Sequence, residues 1–114
     1  MEGREVLIYL DIYYNHKWDR IYSALKDYKD LDIFEEPEVL KLDVEKFKLF
    51  NEGYRVLTFL DTEEYPQRIM HSVFKPPFVI WYKGSLTTVE DRFFEQYGGV
   101  ETDLKRLQKG CFIE

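Results

Sequence analysis

Residues 54–86, YRVLTFLDTEEYPQRIMHSVFKPPFVIWYKGSL, decide how this chain folds. Residues 56–60 and 78–84 are short runs rich in β-branched and aromatic side chains, as strands require. Between them, Tyr65-Pro66 and Pro76-Pro77 bracket residues 67–74. Each proline fixes its own φ and drives the preceding residue out of helical space, so the helix between them has defined ends. The stretch therefore reads strand, helix, strand. A pair of strands joined in this way is expected to run parallel, with a right-handed crossover. Two strands do not make a stable sheet. The candidates for a third are Cys111-Phe112-Ile113, the N-terminal segment, or a second copy of the molecule.

Upstream, residues 5–14, EVLIYLDIYY, suit a strand by composition and a helix by spacing, since Leu7, Leu10 and Tyr14 share a helical face. Helix is the preferred reading. Asn15 is placed to cap a helix over residues 17–29, where Trp18, Ile21, Tyr22, Leu25 and Tyr28 form an apolar stripe. Pro37 fits the first turn of the next helix, with acids before it complementing the positive end. Asp43 is placed to cap a further helix through Phe50, which Gly53 ends in the left-handed conformation. Downstream, Thr88 with Asp91 gives a capping-box-like start to a helix through Tyr97, closed by Gly98-Gly99, and Thr102 caps a last helix over residues 103–109, ended by Gly110. The expected class is α+β in one domain: a helical N-terminal half (1–53), the βαβ unit (54–86), then helices and a short strand (87–114).

The central unit resembles the lead-in to the nucleotide-fold domain of the DprA/Smf DNA-processing family. The likeness runs through the apolar strand at 56–60, Tyr65-Pro66, the short helix at 67–74, Pro76-Pro77, and the apolar strand that ends in Lys83-Gly84 followed by Ser85. In that family a Gly-Ser-Arg-type loop that holds DNA phosphates follows soon after, and nothing after Leu86 matches it. The resemblance implies a piece of that fold without the residues that grip DNA.

The 114 residues are 45% hydrophobic and 18% aromatic, enough to bury roughly two-thirds of the unfolded surface in one core. No stretch approaches the roughly 20 apolar residues of a membrane span, and the N-terminus has no signal-like pattern, so a cytoplasmic protein is expected. Cys111 is the sole cysteine, and His16 and His71 are remote from it in sequence. A small buried residue is the better reading of it than a nucleophile. No His-x-x-x-His spacing, no cysteine cluster, no Gly-x-Ser-x-Gly around Ser72 or Ser85 and no phosphate-cradling glycine loop is present. The expectation is a non-enzyme with no metal and no cofactor. Lys83-Gly84 reads as a strand-ending turn, and Gly98-Gly99 as a helix stop.

Charge carries the functional reading. With 22 acidic and 16 basic side chains the net charge is -6, the wrong sign for a protein that grips phosphates by counterion release. Asp27, Asp30, Asp32, Glu35, Glu36 and Glu38 put six acids within twelve residues, interleaved with Tyr28, Leu31, Ile33 and Phe34. One reading makes Asp27, Tyr28, Asp30, Asp32, Phe34, Glu35, Glu36 and Glu38 a partner-binding surface that competes with nucleic acid for a basic groove. The other makes them a solvated helix end whose aromatic residues turn into the chain's own core. The first function expected is a small acidic inhibitor of a basic nucleic-acid-binding nuclease, blocking guide RNA or DNA loading, as anti-CRISPR proteins of phages and mobile elements do. The alternatives are a DprA-like DNA-processing accessory and a plain adaptor. The 9 Tyr and 9 Phe also point to a buried interface, such as a homodimer.

Overall fold

The computed structural model describes residues 2–27, 34–72, 75–97 and 109–114. Along these the elements are α1 (Gly3–Tyr13), α2 (Trp18–Asp27), α3 (Glu36–Asn51), β1 (Arg55–Thr58), α4 (Gln67–Ser72), β2 (Val79–Tyr82), a 3-10 turn (Leu86–Thr88), α5 (Val89–Tyr97) and β3 (Cys111–Ile113). The class is α+β, with a helical N-terminal half as expected.

The segment with two readings is α1. Every residue from Val6 to Asp11 is buried, because α1 packs on α2, α3, β1 and β2 together. A helix surrounded on all sides is apolar all round, which is why its sequence lacks a clean one-sided stripe. Asn15 does not cap α2. Asn15 and His16 take left-handed φ values of 54° and 65°, because the His16 amide donates to the Asp11 carbonyl (2.6 Å) and its ring meets the Asp11 carboxylate, closing a tight turn. Asp43 caps nothing either. No breaker divides residues 36–51, so α3 is one helix with Pro37 in its first turn, and Asp43 instead accepts from the Tyr9 hydroxyl and Lys46. Gly53 (φ 97°) ends α3 as expected.

The sheet has the order β1-β2-β3. The strands are shorter than the runs 56–60 and 78–84, and the β1–β2 pair is antiparallel, with Arg55 opposite Tyr82 and Thr58 opposite Val79. The expected parallel pairing is overturned by the connection. Asp61 accepts from the Thr58 amide (2.7 Å) and the Thr58 hydroxyl (3.1 Å), turning the chain as soon as β1 ends. The Phe59 amide then donates to the Phe78 carbonyl at 2.8 Å, so the ladder runs on into the connection. The six-residue α4 is an excursion beyond the strand ends and makes no crossover. The parallel βαβ unit lies one element later: β3 pairs with β2 in parallel, Ile80 opposite Cys111 and Tyr82 opposite Ile113, with α5 between them in sequence. Cys111–Ile113 is thus the third strand, as the sequence suggested.

All four residues of β2 are buried, as a strand covered on both faces must be. Ile80 and Tyr82 pack with Tyr65, Ile69, Val89, Phe93 and Ile113 on one face, and Val79 and Trp81 with Leu7, Ile8 and Tyr54 on the other. Tyr65 donates to the Pro77 carbonyl at 2.8 Å, joining the two proline motifs to each other. At the start of α5 the Ser85 side chain accepts from the Thr87 amide and caps the 3-10 turn, while the Thr88 hydroxyl donates back to the Ser85 carbonyl. Ser85 thus caps the 3-10 turn that precedes α5, and α5 itself begins right after Thr88 and runs through Tyr97 as expected. The Gly98-Gly99 stop, the Thr102 cap and, apart from Lys109, the expected helix over 103–109 lie outside the described residues.

Candidate protein-docking surface

Only part of the sequence-predicted surface falls on described residues. Asp27 is exposed at the end of α2, Glu35 and Glu36 are exposed at the start of α3, and Glu38 is half-buried. The Glu35 side chain makes no capping bond, and Glu36 and Glu38 lie in the first turn, where the helix dipole favours them. Phe34 turns inward, its ring centroid 6.4 Å from Tyr9 and 5.4 Å from Tyr13. Tyr28, Asp30 and Asp32 lie outside the described residues.

The apolar stripe of α2 builds a second surface. Trp18 and Tyr22, one helical turn apart on α2, stack at 5.2 Å with their planes 10° apart, and Phe78 stacks on Trp18 at 4.9 Å and 19°. The Pro76-Pro77 turn delivers Phe78, and the Trp18 indole N–H donates to the Pro76 carbonyl at 3.0 Å, fixing the ring. With Leu25, Lys26, Phe59 and Pro76 these rings line a groove of about 450 Å³. Tyr22 is 49% exposed. Lys26 lines the groove, and the Lys75 ammonium sits 5.0 Å from the Trp18 ring centroid.

The interior polar residues have other work. The buried Asp11 carboxylate accepts from the Trp81 indole N–H at 2.8 Å and meets the His16 ring through Nδ1. His16 and Cys111 line one small cavity of about 10 Å³, room for about one water. Burial drives the Cys111 thiol well above its usual value, which keeps it protonated and unreactive. Asp11 and His16 thus form a clamp that ties α1 to β2 and to the α1–α2 turn. His71 is exposed, with its ring 3.0 Å from Gln67. Among the described residues no group of three or more His, Cys, Asp or Glu is placed to hold a metal, and no helix is long and apolar enough to cross a membrane.

The reading of two helices over residues 36–51 also hid a feature of α3. Leu40, Val44 and Phe47 are 60%, 55% and 56% exposed, on the side away from Leu42 and Leu49, which pack inward. Their four- and three-residue spacing is visible once the helix is taken as continuous.

No protein-family model, no curated protein and no solved structure matches this chain.

Proposed function

We propose that this chain is a non-catalytic docking protein of the cytoplasm that occupies the basic groove of a nucleic-acid-binding enzyme. The observation that carries this reading is the Tyr22–Trp18–Phe78 groove, set on the helix whose last residue, Asp27, opens the acid run. Its occupant is an arginine- or lysine-bearing loop of the partner. The aliphatic stem lies along the rings, the cation sits over Tyr22, and the carboxylates of Asp27, Glu35 and Glu36 complement the surrounding basic surface. The net charge of -6 favours encounter with a basic partner and disfavours direct binding to free nucleic acid. In its narrower form the proposal is an anti-CRISPR-type inhibitor that excludes guide RNA or DNA from a nuclease.

A pull-down and titration against basic CRISPR effector nucleases, with and without guide RNA, tests this. Competition by guide is expected. Tyr22→Ala should weaken binding by about 2 kcal/mol or more, roughly thirty-fold. Reversing Asp30, Asp32, Glu35 and Glu36 to lysine should abolish binding with the fold intact, since exposed acids such as Glu35 and Glu36 contribute little to stability. Binding that ignores both changes, or no binding to any basic nuclease, removes the proposal.

Lys26 and Lys75 favour a second reading. Two ammonium groups beside stacked rings are also the elements of a single-strand site, in which bases stack and lysines take phosphates. This is the chemistry that the DprA-like accessory reading would need. Oligonucleotide titration followed by Trp18 fluorescence separates the two. Submicromolar quenching that weakens steeply with salt supports the accessory, and an unchanged signal supports the inhibitor.

A further inference from the structure

The outward face of α3 belongs to neither reading of the groove. Leu40, Val44 and Phe47 form an exposed stripe, and the exposed Pro37 and Asn51 extend the same spacing at its two ends. Alternating steps of three and four residues give the 3.5-residue period that two helices share when they pack side by side. In heptad terms Pro37, Val44 and Asn51 take position a, Leu40 and Phe47 position d, Glu36 and Asp43 position g, and Lys41 and Lys48 position e. A β-branched residue at a with leucine at d favours two strands, and a single asparagine at a fixes register.

The flanking charges choose the orientation. In a parallel pair each g residue faces the e residue five positions on in the other helix. Glu36 then meets Lys41 of the second copy, which is the pair that sets the orientation; Asp43, held by Tyr9 and Lys46, and Lys48, paired with Glu45 at 3.0 Å, stand at the next such positions. In an antiparallel pair, e faces e and g faces g, so lysine meets lysine and acid meets acid. We propose that α3 packs in parallel and in register against α3 of a second copy of this chain, burying Leu40, Val44 and Phe47. The seam from Pro37 to Asn51 is about 21 Å long. Such an interface lies at the small end, below about 1,200 Å², so association in the micromolar range is expected. The dimer brings the two acidic first turns, each with Glu35, Glu36 and Glu38, side by side. It does not depend on what the groove binds.

Light scattering coupled to size exclusion, on the whole chain over rising concentration, should show the mass climbing from 13.9 kDa towards twice that value. Val44→Asp should hold it monomeric with an unchanged far-ultraviolet circular dichroism spectrum. Lys41→Glu should weaken the dimer about ten-fold, and adding Glu36→Lys in the same chain should restore it. Asn51→Cys, oxidised with glutathione disulfide, should cross-link to itself, because only the parallel register sets this position against its own copy; buried Cys111 supplies the unreactive control. A strictly monomeric wild type, a dimer indifferent to Val44→Asp, or an Asn51→Cys chain that fails to cross-link would overturn the proposal.

Discussion

Asp11 is buried in an otherwise apolar helix, a position that costs free energy unless its oxygens are satisfied. Trp81 and His16 satisfy them. Asp11→Ala leaves the Trp81 N–H and the His16 ring without their acceptor and should reduce stability by about 3 to 5 kcal/mol, measured by urea unfolding. Trp81→Phe keeps most of the packing and loses only the bond, so about 1 to 3 kcal/mol is expected. The double variant should cost less than the two combined, since both act on one contact. Tyr54 gives a pH signature. Burial, reinforced by its hydrogen bond to the Glu114 carboxylate, pushes the Tyr54 hydroxyl up to about 12. An unfolded tyrosine ionises near about 10. Below that pH both states hold the proton and the stabilisation is complete. From about 10 to about 12 only the folded state holds it, so stability falls as pH rises through this window. The thermal midpoint should drop there, and Tyr54→Phe should flatten part of the drop; an equal slope in the variant would refute the assignment.

The helices were legible where one face is buried and others are not. Residues 17–29 announced α2 because Ile21 and Ala24 face the core and charged residues do not. α1 was ambiguous because its middle, Val6 to Asp11, is buried on every side and has no polar face to break the apolar run. α3 was misread at Asp43, since an aspartate in a helix resembles a cap until the Tyr9 hydroxyl, remote in sequence, is known to be its partner. The Tyr9–Asp43 bond marks its two partners oppositely: burial and then this bond raise the Tyr9 hydroxyl, whereas the Asp43 carboxyl is lowered chiefly by the bond. The two faces of α3 give a direct test. Leu42→Ala, on the inward side, should cost about 2 to 5 kcal/mol, whereas Leu40→Ala should stay within about 0.5 kcal/mol in the dilute monomer. Element ends differ in the same way. Gly53 and Gly110 both have positive φ, 97° and 87°. A Cβ at Gly53 meets nothing within 4 Å, while one at Gly110 would lie 2.5 Å from the His16 Cβ. Gly53→Ala should cost only the left-handed penalty, about 1 to 2 kcal/mol, and Gly110→Ala distinctly more, because His16 is held by Asp11 and cannot retreat. Equal midpoints in denaturant for the two variants would contradict that account.

At the scale of the whole molecule, pairing direction is what local pattern could not supply. Residues 54–86 showed strand, helix, strand correctly, but nothing in their periodicity says whether the second strand returns beside the first or crosses over. What shows the return is the Asp61 carboxylate turning the chain at Thr58 and the ladder continuing from the Phe59 amide to the Phe78 carbonyl. The groove was not legible for a similar reason. Acids declare themselves by composition, but the groove needs Trp18 and Tyr22 to meet Phe59 and Phe78, residues that only the fold brings together. The same distance in sequence makes the C-terminal strand decisive for stability. β2 is fully buried and sits between β1 and β3, so removing residues 111–114 leaves a two-stranded antiparallel pair with one edge of Trp81 and Ile80 open. Two strands are marginal on their own, and the deletion also takes away buried Cys111 and Ile113 together with the bond from the Lys83 amide to the Ile113 carbonyl (2.9 Å). The truncated chain should therefore lose cooperative thermal unfolding and near-ultraviolet circular dichroism, its tryptophan emission should shift to the red, and β2 amides should exchange rapidly while α2 helicity partly survives. A truncated chain that kept slow β2 exchange and a sharp transition would show that β1 and the packed helices suffice to hold the central strand.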